Sequence, residues 1–142
     1  MLDQKTINDI ADHAAASDLA RVNWSGRGRA PIGYIKGMAV TYGEVLRKLM
    51  AGDSAACAMV RVVDDGKDVF DHYENQLRAA GLVTDGAPDV DRLRALWVVL
   101  TGLGMRESSG NYSEGRDTTA PNVEADTAEA GLFQQSWNSH TT

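Results

Sequence analysis

The chain has 142 residues, 43% of them apolar and 24% charged. That composition suits one globular domain able to bury about two-thirds of its unfolded surface, and it is too apolar for a disordered tail. Fourteen basic against twenty acidic side chains give a net charge of −6, which argues against a generic polyanion or nucleic-acid binder, while the single cysteine, Cys57, excludes an internal disulfide and a cysteine-built zinc site.

The N-terminal run MLDQKTINDIADHAAASDLA has neither a basic leader nor a continuous apolar stretch, so it does not read as a signal peptide, and the chain reads as cytoplasmic. A helix is expected from about Asp3 to Arg21, with Ile7, Ile10, Ala11, Ala14 and Leu19 at helical spacing. Asn23 to Gly33 combines glycines, a proline and polar residues and reads as turn chemistry. A second helix is expected over Tyr34–Met50, with Ile35, Met38, Ala39, Tyr42, Leu46 and Leu49 on one stripe and Gly52 as its stop. Ser54 is expected to cap a third helix through Ala55–Val63, unless the β-branched Val60–Val63 end is extended.

Asp64-Asp65-Gly66 reads as a turn, and Asp68 to Ala80 as a helix closed by Gly81. Asp89 is expected to cap the strongest helix, VDRLRALWVVLTGLGMRES, whose middle is apolar nearly all round and suits a central buried position. Trp97, among aliphatics, belongs to the core. Residues 110 to 130 have no apolar period and read as a long loop or a small irregular hairpin. Gly131-Leu132-Phe133-Gln134 restores an apolar element, and Trp137 follows. No apolar run approaches the roughly 20 residues of a membrane span.

Negative charge concentrates late in the chain: Glu107, Glu114, Asp117, Glu124, Asp126 and Glu129 stand against a single base, Arg116. Glu107 is the foremost chemical candidate. On a helix it shares a face with Leu100 and Leu103, and it sits at the negative end of the helix dipole. Burial and the dipole both disfavour an ionised carboxylate, and a carboxyl group that keeps its proton is what a general acid requires. The competing reading is an exposed glutamate at a frayed helix end.

Glu107-Ser108-Ser109-Gly110 closing an apolar helix, followed by Gly131-Leu132-Phe133-Gln134, resembles the lysozyme-like superfamily, above all soluble lytic transglycosylases and goose-type lysozymes. In those families a Glu-Ser pair ends the central helix and a Gly-Leu-Met-Gln motif lines the sugar cleft; here Phe133 stands at the methionine position. The resemblance runs from Leu93 to about Asn138. It implies a predominantly α, at most α+β, lysozyme-like helical domain spanning 1–142. Residues 1–33 would form an N-terminal helix and Gly/Arg-rich loop, and 34–142 a helical core with the motif region at 107–138. It further implies a glycosidase acting on β-1,4-linked N-acetylated sugars, peptidoglycan or a chitin-like glycan, with Glu107 as general acid/base and no metal or organic cofactor. Ser108 would orient a sugar or the reacting carboxyl, Gln134 would hydrogen-bond a sugar substituent, and Tyr112 and Trp137 would offer rings to the saccharide, with packing the alternative for each of the two rings.

Two departures stand out. The families continue beyond Gly-Leu-x-Gln with a Tyr-Asn motif, whereas here the sequence ends soon after, so either the chain is a fragment or the cleft is partial. The acidic stretch between the motifs supplies candidates for a second carboxylate, which an inverting hydrolase needs and a transglycosylase does not. Asp126 comes first, Asp117 next, with Glu124 and Glu129 also available. An enzyme of this kind without an export signal would reach the cell wall by another route. The alternative is a non-catalytic helical module that binds glycan or assembles with a partner on the same scaffold.

Other signals carry less. Asp64-Asp65-Gly66-Lys67-Asp68 lacks the ligand pattern of a calcium loop. Gly26-Arg27-Gly28-Arg29 lacks a dinucleotide fingerprint and is better read as a basic turn packed near the acidic C-terminal segment. His13, His72 and His140 are scattered without metal-ligand spacing, and Cys57 has no partner motif that would make it a nucleophile.

Overall fold

A computed structural model describes residues 2–63, 68–82, 84–116, 119, 121, 124 and 127–136. Helix makes up 58% of the described residues, in six α-helices and a short 3₁₀ turn, and these are joined by two small antiparallel sheets. The fold is therefore predominantly α. No described helix is long and apolar enough to cross a membrane.

Helix α1 (Gln4–Ala16) starts where the Asp3 carboxylate accepts from the Thr6 N–H at 2.8 Å, satisfying a donor that the first helical turn leaves open. It buries Ile7 and Ala11, and a short 3₁₀ turn (Asp18–Ala20) follows. The stretch expected as plain turn folds as a hairpin of β1 (Asn23–Trp24) and β2 (Gly28–Arg29), pairing Asn23 with Arg29 and Trp24 with Gly28. Helix α2 (Ile32–Met50) begins two residues earlier than its apolar stripe predicts, directly after Pro31, and stops at Gly52 with φ 74°.

Helix α3 spans Ser54–Met59, and its cap is Asp53 rather than Ser54: the Asp53 carboxylate accepts from the Ala55 and Ala56 N–H groups. Val60 ends it, and residues 61–63 are neither helix nor strand. The turn expected at Asp64-Asp65-Gly66 lies outside the described residues. The single helix expected over 68–80 is two, α4 (Val69–His72) and α5 (Glu74–Ala79), separated at Tyr73, whose φ of −104° and ψ of 13° leave the helical region. Buried Asp68 caps the first by accepting from the Phe70 N–H at 2.7 Å, and it also holds the segment after α3 through the Val63 N–H at 2.8 Å. A carboxylate with two backbone donors satisfies the cost of its own burial.

Helix α6 (Asp89–Ser108) is the long helix expected from the sequence, although Asp89 lies inside its first turn and no side chain caps it. It is the element that contributes to all three apolar clusters among the described residues. Leu93 and Trp97 join Leu49, Ala56 and Val60; Ala95 joins Phe70 and Leu77; Met105 joins Ala30, Tyr34 and Ile35. Trp97 is core as expected, and its indole N–H donates to the Met38 carbonyl at 2.8 Å. The helix is not buried all round, however. Val98 is 50% and Leu103 38% exposed, because the other elements pack on three faces and leave the fourth open. Last comes a hairpin of β3 (Glu129–Ala130) and β4 (Gln135–Ser136), whose four-residue turn is Gly131-Leu132-Phe133-Gln134.

Candidate functional site

The end of α6 sets the position of Glu107, and Tyr34 of α2 sets the end of α6. The Tyr34 hydroxyl donates to the Thr101 carbonyl at 2.6 Å. Its ring lies so close to two glycines that a Cβ on Gly104 would stand 2.5 Å from the phenol oxygen, and one on Gly110 2.8 Å from the ring. Burial pushes the Tyr34 phenol up to about 12, since the anion would lose its hydration. The helix then closes with the Ser109 N–H on the Met105 carbonyl at 3.0 Å and the Gly110 N–H on the Gly104 carbonyl at 3.1 Å, a left-handed stop with Ser109 at φ 57°.

Glu107 emerges from this last turn half-buried, and the face argument that placed it beside a buried Leu103 is corrected by the exposure of that leucine. Its carboxylate opens into a polar cleft of about 360 Å³. Glu114, Gly115 and Arg116 of the following loop form one side, Glu129 and Gln134 of the β3–β4 hairpin another, and Arg27 of the β1–β2 turn a third. Both hairpins reach this place for the same reason: Trp24 of the first and Leu132 of the second pack on the cluster of Ala30, Tyr34, Ile35 and Met105. The Gly131 N–H, bonded to the Glu114 carbonyl at 3.0 Å, ties the second hairpin to the loop after α6.

Glu107 and Gln134 thus share one cleft. The Gln134 amide nitrogen donates to the Gly131 carbonyl at 2.9 Å, and among the described residues nothing donates to its amide oxygen, which faces no competitor for an incoming N–H or O–H. Glu114 accepts from the Asn111 amide at 2.9 Å. The side chains of Glu107 and Glu129 make no hydrogen bond or ion pair with the other described residues.

Ser108 is placed differently from the expectation. It is buried, and its hydroxyl donates to the Gly104 carbonyl at 3.0 Å, an internal bond of the helix end rather than an arm toward a sugar. Tyr112 is 83% exposed, so it is not packing, and it does not border the cleft. Asp117, Asp126 and Trp137 lie outside the described residues, as does His140. Glu129, one of the four acids weighed for the second role, lines the cleft, and Glu114 joins it. Arg27 and Glu114 escape sequence reasoning as site residues. The basic turn is visible as a neighbour for the acidic segment, but nothing in its spacing says that it borders Glu107.

A second groove, of about 320 Å³ and apolar, runs between α1, α2 and α6 beside Ile10, Met38, Tyr42 and Val98. No carboxylate lines it, and its polar side chains are those of Trp24, Tyr42, Arg94, Trp97 and Thr101. Among the described residues no group of three or more His, Cys, Asp or Glu side chains lies close enough to hold a metal ion. Neither a family model, a curated protein nor a solved structure matches the chain significantly.

Proposed function

We propose that the chain is a glycosidase acting on β-1,4-linked N-acetylated sugars, peptidoglycan foremost, with Glu107 as general acid/base. One observation carries the reading: Glu107 and Gln134, the two chemistry-bearing positions of motifs separated in sequence, line the same polar cleft. A sugar chain lying there would bring its glycosidic oxygen to the Glu107 carboxyl, the group that would protonate that oxygen as the bond breaks. Gln134 supports the reading as an acceptor for the N–H of an acetamido group or a sugar hydroxyl.

What the Glu107 carboxylate does after proton transfer depends on the chemistry. In a transglycosylase it takes the proton from the muramic 6-hydroxyl as that oxygen closes an anhydro ring. In an inverting hydrolase a second carboxylate activates water at a carboxyl separation of about 6.5–9.5 Å, and Glu129 or Glu114 would fill that role from within the cleft. Replacing Glu107→Gln keeps the shape and removes the proton donor. Clearing of a peptidoglycan suspension is expected to fall by about 10²–10⁴-fold, the usual worth of general acid–base catalysis. Equal inactivity of wild type and variant, with glycan still retained, would leave a binding module in place of an enzyme. The mass of the released ends then separates the two chemistries, since an anhydro end lacks one water.

A further inference from the structure

We infer that Arg27 selects glycans that carry carboxylate groups over neutral ones; this rests on the glycan-cleaving reading of the same cleft. Arg27 is the third residue of the tight Ser25-Gly26-Arg27 loop between β1 and β2. Its N–H bonds the Trp24 carbonyl at 2.9 Å, and glycines with φ of 71° and 75° stand on either side. This backbone is fixed, and Trp24 anchors it to the core cluster beneath the cleft. The base of the arginine side chain is therefore held in place while its exposed guanidinium borders the space that Glu107 enters.

Among the described residues Arg27 forms no ion pair. Arg21, Arg47, Arg78 and Arg92 each close onto an acid three or four residues away. Arg27 shares a cleft with Arg116, Glu107, Glu114 and Glu129 and forms an ion pair with none of the three acids; unlike Arg116, it sits on a tight turn with its backbone held on both sides by glycines. A guanidinium presents a planar fork of donors that matches a carboxylate in two parallel hydrogen bonds. A neutral chitin-like chain offers only single uncharged acceptors, its hydroxyls and acetamido carbonyls, which compensate the lost water of the cation less well than a carboxylate does. Three glutamates against two arginines leave the cleft with a net charge of −1, which does not attract a uniformly anionic polymer, so the cleft favours a mostly neutral glycan with carboxylates hung at intervals. Peptidoglycan fits, either through the carboxylates of its peptides or through the lactyl carboxylate of its muramic residues once the peptides are removed.

The test is retention of the full-length Glu107→Gln protein, which does not consume its ligand, on three glycans immobilised on beads: intact peptidoglycan, peptidoglycan stripped of peptides by an amidase, and chitin. Retention on one or both carboxylate-bearing forms is expected to exceed that on chitin, and adding Arg27→Ala is expected to reduce it by about tenfold, the worth of one charged pair. Arg27→Lys keeps the charge without the fork and is expected to fall between them, while Arg61→Ala, outside the cleft, leaves retention unchanged. Loss confined to intact material identifies the peptide carboxylates as the ligand; loss on stripped material identifies the lactyl group. Equal retention on all three glycans, or retention indifferent to Arg27→Ala, overturns the inference. If Arg27→Ala abolishes retention but the wild type never clears peptidoglycan, the enzyme reading fails and the role of Arg27 stands. If the wild type clears it and Arg27→Ala leaves both clearing and retention unchanged, the reverse holds.

Discussion

Ser109 holds a left-handed backbone at φ 57°, a conformation that costs a residue with a Cβ about 1–2 kcal/mol and costs glycine little. Its side chain makes no hydrogen bond with the described residues that would offset this. Ser109→Gly is therefore expected to stabilise the protein by about 0.5–1 kcal/mol, after allowing for the greater freedom of glycine in the unfolded chain. Chemical denaturation followed by circular dichroism checks this, and a destabilised variant would mean that the serine hydroxyl has a role in the stop. Gln134 also has a left-handed backbone, at φ 46°, in the other half of the cleft. Two strained residues beside one cleft fit the general pattern in which functional sites hold unfavourable backbone.

At the scale of elements, α2 and α6 are pressed together at a point where only glycine fits. A methyl group on Gly104 would meet the Tyr34 oxygen at 2.5 Å, far inside normal contact. Gly104→Ala is expected to cost about 1–3 kcal/mol, as overpacking of a core contact does, and to lower glycan clearing as well, because Glu107 is carried by the turn that must shift. A thermal melt and the clearing assay on the same preparation test both parts. Unchanged activity in a clearly destabilised protein would show that the helix end tolerates the displacement.

The long helices were legible because a period of 3.6 persists over many residues and glycine marks the stop, as at Gly52 for α2. The break at Tyr73 was not, since Val69, Phe70, Tyr73 and Leu77 keep helical spacing across it. The open face at Val98 and Leu103 was hidden for a related reason: a helix that is apolar all round says nothing about which side its neighbours leave uncovered. Glu107 and Gln134 could be singled out from their motifs, but the approach of Arg27 depends on Trp24 and Leu132 choosing the same cluster, which no local pattern records.

At the scale of the whole molecule, Tyr34 joins segments 67 residues apart through its bond to Thr101. Its phenol, held protonated up to about 12 against an ordinary value of 10.0, links ionisation to global unfolding. The folded state binds this proton more tightly than the unfolded state, so the stabilisation is complete below pH 10 and is lost as pH rises toward 12. Denaturant midpoints measured across that range should fall for the wild type and fall less steeply for Tyr34→Phe, which has no proton to lose. Parallel slopes in the two proteins would mean that other groups govern alkaline unfolding.

The cleft draws on the β1–β2 turn, the last turn of α6 and the final hairpin, so its walls are made at widely separated moments of synthesis. A ribosome releases the arginine wall first, the acid much later and the glutamine last. A half-made chain has no groove to close around a polymer, and any cutting power is withheld until the closing hairpin has docked.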